Sequence, residues 1–460
     1  MGNRAKFALG LSAFLLVACS TALPSLPEMP TLPSLSVPGL SNSPVPGDPA
    51  CGGAWALDDG GGVAVTPAEE GLRWRSLDGQ TGRFVLEKDI WSAYQGWTDT
   101  AETRQIQFTC SEGLTLFEGE AATKVPVTTQ DIIFTGSKGT KLAGRLILPE
   151  GNDPVPVVLQ VHGSERSSAL LTDPYQHLLP LQGIGVFIYD KRGTGSSKGD
   201  YTQDFTLLAM DAVAAADEAR RMAGPRMSRF GLHGTSQGGW VAPLAAVSLK
   251  PDFVIVSYGM LESPLAENRA ESVLNVAEAG YGPSAQMAAG MLADAAATVM
   301  LSDFKRGYVE LEALKKIYKD EPWYPLVQGE FTGDILRYPD YVLRVGGPLR
   351  SSGTSWRHEG EPVLRQLGAP VLWILAGADR EAPPAYTRAR LKALQYEGRP
   401  VTVAEFPGVD HGMREFTAMP DRSRRYSGYA PGYFDLVADF AAGREIAPGE
   451  YGDAKITPER

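Results

Sequence analysis

The segment Gly234-Thr235-Ser236-Gln237-Gly238 is the part of this chain whose residue types and spacing point most directly to chemistry. It follows a strand-like run at 229–233 and opens an apolar run, 239–247, that is typical of a buried helix. A Gly-x-Ser-x-Gly segment at such a turn holds the serine in a strained conformation with its hydroxyl exposed. Its glycines let strand and helix approach, and the helix N-terminus offers free N–H groups to a reacting oxygen. The same pattern also occurs in ordinary turns, so a base and an acid must be found elsewhere.

A serine hydroxyl becomes a good nucleophile only when a base takes its proton, and histidine is the usual base. The chain has five histidines. His411 follows a predicted strand, 401–406, and the turn Pro407-Gly408, so it lies on a loop at a strand end, where catalytic groups are commonly found. The other four are less suited to this role: His162, His177, His233 and His358. We predict that His411 is the base.

The imidazole of such a base needs a carboxylate to orient it. Asp379 stands just beyond 371–375, the most apolar strand-like segment in the last third of the chain. Glu381 and Asp410 are the competing candidates. Glu381 lies two residues further from the strand end, and the side chain of Asp410, adjacent to His411, would tend to point away from the ring. We predict that Asp379 is the acid, which gives the chain order serine, aspartate, histidine.

This order and the Gly-x-Ser-x-Gly turn resemble those of the α/β-hydrolase family. Residues 160–165, with a His-Gly pair, resemble the loop that follows the third strand of that family. The resemblance implies that the backbone N–H groups of Ser164 and Gln237 form the oxyanion hole. Residues 190–197 are similar to the Asp-x-Arg-Gly-x-Gly-x-Ser turn of many such hydrolases, where it orders the loops around the site. The segment lacks the Gly-Lys-Ser/Thr ending of a phosphate-binding loop, so nucleotide binding is not predicted.

The resemblance covers roughly residues 126–445 and implies an α/β-hydrolase fold, with a mostly parallel eight-stranded sheet flanked by helices. Helical stretches at 205–223 and 384–396 alternate with the later strands, as expected for a parallel sheet covered on both faces. The turn at 137–139 predicts a hairpin of the first two strands. The predicted strands are 129–134, 142–148, 155–161, 185–189, 229–233, 253–256, 371–375 and 401–406.

An insertion of about a hundred residues separates the sixth and seventh of these strands, more than a crossover requires. Its composition is helical, notably at 284–301 and 308–319. Because it enters after the sixth strand, we expect a helical cap over the active site at 261–360. Five of its residues could line an acyl pocket or form the core of the cap itself: Met287, Met291, Trp323, Tyr324 and Trp356.

The first residues have the pattern of a secretory signal peptide, with Arg4 and Lys6 before an apolar run at 7–18 that is too short to span a membrane. Leu16-Val17-Ala18-Cys19 resembles a bacterial lipobox, which implies that Cys19 becomes the lipidated N-terminus. A plain cleaved signal and an uncleaved anchor are the alternatives. With serine at position 20, the resemblance implies an outer-membrane lipoprotein in the cell envelope, on the periplasmic or surface side. The Pro-, Ser- and Leu-rich residues that follow predict a semi-extended tether.

Residues 51–125 contain short alternating runs separated by turns, which predict a small β-rich domain. Cys51 and Cys110 remain if Cys19 carries lipid, and an oxidising envelope favours a disulfide between them. We interpret the domain as a structural accessory, with binding of substrate or cell wall as the alternative. The predicted segments are a signal peptide at 1–18, a tether at 19–50, this domain at 51–125, the hydrolase core at 126–260 and 361–445, the cap at 261–360, and a C-terminal tail at 446–460.

The composition agrees with this plan, since 460 residues with 43% hydrophobic content suffice for a large core and a small domain. The formal net charge is −11, and it becomes −13 when a signal peptide carrying Arg4 and Lys6 is removed. Such a charge opposes nucleic-acid binding and non-specific attachment to anionic lipid. No histidine pair or Cys-x-x-Cys motif suggests a metal site, and no cofactor is implied.

Together these features predict a lipid-anchored serine hydrolase, a carboxylesterase that acts on small or medium acyl esters. The first alternative is a serine peptidase of the prolyl-oligopeptidase type acting on short peptides. Such enzymes share this triad, but they usually carry a large propeller, for which 51–125 is too short, or acidic residues that bind the substrate amine. The second alternative is a non-catalytic envelope lipoprotein that binds ligands on a hydrolase scaffold. The presence of Ser236, Asp379 and His411 argues against it.

Overall fold

The computed structural model describes residues 49–68, 71–87, 90–351 and 353–459. The predicted signal peptide, the lipidation site Cys19 and the tether up to residue 48 lie outside the described residues. All described residues belong to one compact unit, Gly39–Arg460. Among them, no helix combines the length and the hydropathy that a membrane span requires.

The N-terminal domain is a sheet in which eight antiparallel strands can be described, so a β-rich domain is present as predicted. Along β2, Val63 and Val65 are buried in the domain's own core, whereas Ala64 packs with the hydrolase core, as the twofold period of a strand requires. A disulfide joins Cys51 and Cys110. The strands are β1 Gly53–Leu57, β2 Gly62–Ala68, β3 Gly71–Ser76, β4 Thr81–Glu87, β5 Ile90–Gln95, β6 Ile106–Thr109, β7 Gly113–Phe117 and β8 Glu120–Lys124.

A second sheet forms the centre of the hydrolase part. All eight strands predicted for it are present among the described residues. The six strands from β11 to β16 pair with one another in parallel. The Ser137–Gly139 turn joins β9 and β10 into an antiparallel hairpin, as predicted. These strands are β9 Val127–Thr135, β10 Lys141–Pro149, β11 Val155–Val161, β12 Gly185–Tyr189, β13 Met227–Thr235, β14 Phe253–Ser257, β15 Val371–Ala376 and β16 Val401–Phe406.

The predicted strand number of eight is wrong, because this sheet has nine strands in the described chain. Three short strands after β16, namely β17 Val409–Asp410, β18 Arg414–Ala418 and β19 Arg424–Tyr429, form a separate small sheet. The ninth strand is β20, Lys455–Thr457, which pairs antiparallel with β16 at the sheet edge. The order is β20-β16-β15-β14-β13-β11-β12-β10-β9. Part of the predicted C-terminal tail is therefore an edge strand.

Helices cover both faces of the central sheet, which explains why its parallel strands are almost entirely apolar. One core lies against α3 and α4, and the other against α2 and α12. Full burial of each large apolar side chain contributes about 1.5–3 kcal/mol. The helices are α1 Ala169–Thr172, α2 Tyr175–Leu181, α3 Phe205–Ala223, α4 Gly238–Leu249, α5 Pro264–Glu278, α6 Pro283–Leu301, α7 Tyr308–Tyr318, α8 Thr332–Arg337, α9 Asp340–Arg350, α10 Gly360–Leu364, α11 Ala385–Tyr396 and α12 Tyr433–Ala442.

The insertion between β14 and β15 is helical, from α5 to α9, and it has a hydrophobic core of its own. Trp323 is buried in that core, and Tyr324 and Trp356 pack against it. Met287 and Met291 of α6 are 67% and 43% exposed. The two methionines are therefore not part of the core of the cap, to which α6 contributes alanines, Leu292, Val299 and Met300. Their role in lining an acyl pocket stays a prediction.

The N-terminal domain rests on the β18–β19 hairpin, which directly follows His411 in the chain. The N–H of Trp97 donates to the carbonyl of Tyr426 at 3.3 Å, and the N–H of Tyr429 donates to the carbonyl of Gly79 at 2.7 Å. The Trp97 ring also packs edge-on against the rings of both tyrosines. The hairpin that follows His411 is thus held against the N-terminal domain.

Candidate active site

Ser236 lies at the turn between β13 and α4. Its φ of 51° is in the left-handed region, and its N–H donates to the carbonyl of Ser257 at 3.1 Å. The turn requires the flanking glycines: a Cβ at Gly234 would come within 2.2 Å of the Gly238 carbonyl oxygen, and one at Gly238 within 2.0 Å of the Val161 carbonyl oxygen. The strained turn inferred from the sequence is present, and it exposes the Ser236 hydroxyl above the sheet.

The structure brings Ser236, His411 and Asp379 together from three separate segments. His411 Nε2 is 3.0 Å from Ser236 Oγ, and Nδ1 is 2.9 Å from Asp379 Oδ2. Asp379 is 1% exposed, and its other oxygen accepts the N–H of Ala382 at 2.7 Å. With Nδ1–H donating to the carboxylate, Nε2 is left to accept the serine proton.

The competing acids lie elsewhere. Glu381 Oε2 is 3.7 Å from His411 Nε2, on the serine side of the ring, where it does not reach the nitrogen that must be oriented. Asp410 accepts the backbone N–H of His411 at 2.8 Å and the hydroxyl of Tyr426 at 2.7 Å, so it contacts the loop and not the imidazole. Of the three candidates, only Asp379 faces Nδ1.

The charges around His411 favour its protonated form. Burial alone would lower the pKa of His411, but the carboxylates of Asp379 and Glu381 raise it well above its ordinary value. Arg414 opposes this shift to a smaller extent. The imidazolium that forms when the serine loses its proton is therefore stabilised.

The two predicted oxyanion residues lie on neighbouring segments, Ser164 in the loop after β11 and Gln237 immediately before α4. Lys191 joins these segments: its Nζ donates to the carbonyls of His162 at 2.6 Å and Gly163 at 2.8 Å, and to Gln237 Oε1 at 3.0 Å. Burial lowers the pKa of Lys191 to about 7. The assignment of the two backbone N–H groups to the oxyanion stays a prediction.

The rest of the Asp-x-Arg segment has the structural role that the resemblance implied. Asp190 accepts the Ser168 hydroxyl at 2.9 Å and the N–H of Ser196 at 2.8 Å. Arg192 forms an ion pair with Asp211 at 2.6 Å, and both side chains are buried. These contacts fix the loops that flank Ser164 and Gln237.

Sequence reasoning missed an acidic cluster formed by Glu267, Glu271, Glu330 and Glu381. Burial and the neighbouring carboxylates raise the pKa of Glu267 and Glu271 well above the ordinary value. The pKa of Glu330 is also raised, by partial desolvation and by the charge of Glu381. The four-residue spacing of Glu267 and Glu271 on α5 was the only feature of the sequence that could have pointed to this cluster. Their approach to Glu381 depends on the fold.

The remaining histidines have other environments. His233 Nε2 is 2.9 Å from the buried hydroxyl of Ser257, and burial lowers its pKa to about 3. His162 is buried, with Nδ1 3.4 Å from Glu165 Oε2. Over the described residues, no group of three or more His, Cys, Asp or Glu side chains is placed to hold a metal ion.

A nine-stranded central sheet with a serine at the β13–α4 turn, and with acid and base on loops after β15 and β16, defines the α/β-hydrolase class. Residues 152–414, more than half of the chain, match the family model described as serine aminopeptidase, S33. The chain belongs to that family.

Curated relatives and solved structures are also similar to it. The chain is 26% identical over 227 residues to esterase FrsA of Klebsiella pneumoniae (strain 342), covering 46% of this chain and 53% of the relative. It is 30% identical over 113 residues to esterase FrsA of Escherichia coli (strain K12 / DH10B), covering 24% and 27%. The chain thus spans about half the length of the first of these relatives. A solved esterase of Pyrococcus furiosus aligns with a TM-score of 0.42 and 16% identity, over 62% of this chain and 84% of that one.

Proposed function

We propose that the protein is a serine carboxylesterase that cleaves small or medium acyl esters through an acyl-enzyme intermediate. The observation that carries this proposal is the pair of hydrogen bonds that His411 makes: its Nε2 accepts from Ser236 Oγ at 3.0 Å, and its Nδ1 donates to Asp379 Oδ2 at 2.9 Å. A nucleophile, a base and an orienting acid in one line are what acyl transfer requires.

In the proposed mechanism, Ser236 Oγ attacks the ester carbonyl while its proton passes to His411 Nε2. Asp379 holds the imidazole and balances the positive charge that develops. The N–H groups of Ser164 and Gln237 stabilise the oxyanion, and loss of one such donor typically costs a factor of about 10²–10³ in kcat. His411 then protonates the leaving alcohol, and a water molecule activated in the same way releases the acid.

The curated relatives support ester chemistry, since both are described as esterases. The N-terminal domain supports it as well, because its described part is an eight-stranded sheet and not a propeller. The non-catalytic alternative would need no strained serine at φ 51° and no serine–histidine hydrogen bond, so it explains neither feature.

A second function, an aminopeptidase, is favoured by the acidic cluster. Repulsion among the carboxylates of the cluster contributes to raising the pKa of Glu267 and Glu271. A protonated substrate amine bound there would offset this repulsion. Glu330 lies within electrostatic range of both Glu381 and His411. In an aminopeptidase, the cluster would bind the free amino terminus of a short peptide.

The deciding experiment compares 4-nitrophenyl esters of increasing acyl length with aminoacyl 4-nitroanilides, using the wild type and Ser236→Ala. We expect ester turnover that disappears in the variant, with little anilide cleavage. Preferential anilide cleavage that falls in Glu271→Gln would establish the aminopeptidase instead. Absence of turnover dependent on Ser236 for either substrate would contradict both functions.

We further propose that the enzyme is anchored in the cell envelope by lipid on Cys19. The support is the sequence Leu16-Val17-Ala18-Cys19 after a short apolar run. Replacement of Cys19 by alanine should abolish incorporation of radioactive palmitate and release the protein from the membrane fraction. Unchanged membrane association in that variant would contradict the anchor.

A further inference from the structure

A cavity of about 290 Å³ lies between the N-terminal sheet and the loops that carry the catalytic residues. Thr235 and Gly412, which form part of its wall, are the chain neighbours of Ser236 and His411. Tyr258 forms another part, and its ring packs edge-on against the His411 ring with 5.0 Å between centroids. The cavity is therefore adjacent to the catalytic centre, and the N-terminal domain contributes one of its sides.

Three arginines line this cavity: Arg73 and Arg75 from β3, and Arg414 from β18. Arg73 and Arg75 are each only 8% exposed. The Arg73 guanidinium lies over the Trp97 ring, 4.3 Å from its centroid, and donates through Nη1 to the carbonyl of Gly96 at 2.8 Å. This stacking orients the guanidinium and leaves its other N–H groups without a hydrogen-bond partner among the described residues.

Arg75 and Arg414 are held in a similar way. Arg75 donates from Nε to the Tyr429 hydroxyl at 3.1 Å and from Nη1 to the Thr66 hydroxyl at 2.8 Å, so its second terminal nitrogen makes neither bond. The Arg414 guanidinium lies 5.6 Å from the Trp97 ring centroid. In the part of the chain that the structure describes, none of the three arginines forms an ion pair with a carboxylate.

The acidic groups of the cavity do not balance this charge. Glu165 and Asp173 also line it. Glu165 is open to solvent and is hydrogen-bonded to His162, and burial raises the pKa of Asp173 to about 7, so that Asp173 is only partly charged at neutral pH. Buried guanidinium groups that lack a counter-ion are unfavourable unless an anion joins them.

We propose that this cavity binds a carboxylate group of the substrate, so that the N-terminal domain selects esters that carry a negative charge; this selection rests on the proposed esterase function. A carboxylate matches the fork of N–H donors of a guanidinium. Three arginines exceed the two acidic residues by at least one positive charge, and a carboxylate supplies a negative charge that reduces this excess. The volume of 290 Å³ suits a single group of a substrate and not a whole drug-sized ligand.

The test uses the purified full chain and esters matched in shape but not in charge. On the acyl side, the 4-nitrophenyl monoester of adipate is compared with 4-nitrophenyl 6-methylheptanoate, in which an isopropyl group replaces the carboxylate. On the alcohol side, 4-carboxyphenyl hexanoate is compared with 4-isopropylphenyl hexanoate. The two pairs together cover either position of the carboxylate.

We expect Arg73→Met to lower kcat/KM for the charged ester of at least one pair by about tenfold to a hundredfold, the loss expected for a charge-assisted hydrogen bond. The neutral partner should change less than about twofold by the same reasoning. Arg414→Met serves as a second variant if Arg73→Met folds poorly, because no hydrogen bond of Arg414 within the described residues would be lost. Since Arg414 also acts on the pKa of His411, this variant is judged only by the ratio of charged to neutral ester turnover. Arg73→Lys should retain part of the preference.

Arg83→Met is the matched control, since Arg83 lies opposite Arg73 on the neighbouring strand but does not line the cavity. Equal losses for charged and neutral esters in Arg73→Met and Arg414→Met would overturn the proposal and leave the arginines a purely structural role. Equal wild-type turnover of both members of each pair would also overturn it.

A binding measurement separates this proposal from the esterase function. Adipate itself is titrated against Ser236→Ala, with and without Arg73→Met, and followed by calorimetry. Binding that requires Arg73 supports the carboxylate site even if no ester is turned over. Absence of binding, in a protein that does turn over neutral esters through Ser236, overturns the site alone.

Discussion

Asp410 and Arg424 form an ion pair beside the active site, with 2.7 Å between Oδ1 and Nη1 and both side chains 5% exposed. Asp410 precedes His411 in the chain and accepts its backbone N–H, whereas Asp379 contacts the imidazole ring. Two carboxylates next to one histidine thus have separate tasks. Asp410 fixes the loop, and Asp379 fixes the ring within it.

This division predicts opposite effects of two substitutions. Asp379→Asn should lower kcat for a 4-nitrophenyl ester by about 10⁴, because the amide favours the wrong tautomer of His411 while the geometry is retained. Asp410→Ala should lower kcat far less but should cost about 1.5–3 kcal/mol in the free energy of unfolding, the contribution of a hydrogen bond to a charged group. Arg424 then keeps only its ion pair with Glu278 and its bond to the Ala378 carbonyl. Kinetics and urea unfolding of both variants provide the measurements. A larger kinetic loss in Asp410→Ala than in Asp379→Asn would show that the two roles are exchanged.

Glu381 should set the acid limb of the pH–rate profile. The base must be neutral to accept the serine proton, so kcat/KM falls as the pH drops below the pKa of His411. The charge of Glu381 contributes to raising that pKa. In Glu381→Gln the acid limb should therefore move to lower pH, which is measured from kcat/KM between pH 5 and 10.

The control for this prediction is Glu312→Gln, which removes the same charge from the surface of the cap, where Glu312 pairs with Lys315. Its profile should coincide with that of the wild type. An unchanged acid limb in Glu381→Gln would mean that the charge of Glu381 does not act on the imidazole.

The triad could be predicted from the sequence because each member lies shortly after a strand of the central sheet, and the carboxyl ends of parallel strands meet at one edge of a sheet. Strand β20 could not be predicted from the sequence. It has three residues of which only Ile456 is apolar, and it is defined by backbone pairing with β16 and not by a side-chain pattern. Such a short edge strand has no period that distinguishes it from a loop.

The cap limited prediction for a different reason. In helix α6, the apolar character of methionine favours burial, yet Met287 is exposed. The acidic cluster joins Glu271, Glu330 and Glu381 across more than a hundred residues of chain. Proximity of that kind depends on how the cap packs over the sheet, and the spacing of residues along the chain does not indicate it.

The acidic cluster should make stability decrease with pH. Burial and the charges of Glu381 and Glu330 raise the pKa of Glu271, so the folded state binds its proton more tightly than the unfolded state does. Stability is then lost as the pH rises from the ordinary pKa of a glutamate through the raised one. Glu271→Gln removes this loss, and its Tm should exceed that of the wild type by more at pH 8 than at pH 4. The comparison with Glu312→Gln, measured by calorimetry at both pH values, checks that the gain is specific to the cluster. A gain independent of pH would mean that Glu271 does not titrate in this way.

The disulfide between Cys51 and Cys110 should stabilise the N-terminal domain and, through it, the active site. It closes a loop with a sequence separation of 59, for which loop-closure entropy predicts about 4 kcal/mol. Replacement of both cysteines by serine should lower the free energy of unfolding by about that amount.

Because Trp97 and Gly79 hold the hairpin that follows His411, the variant should also lose esterase activity at a lower temperature than the wild type. Urea unfolding and residual activity after heating, each with and without reductant, give the measurement, and reductant should affect only the wild type. Full activity after the N-terminal domain has unfolded would show that the hydrolase part positions His411 without it.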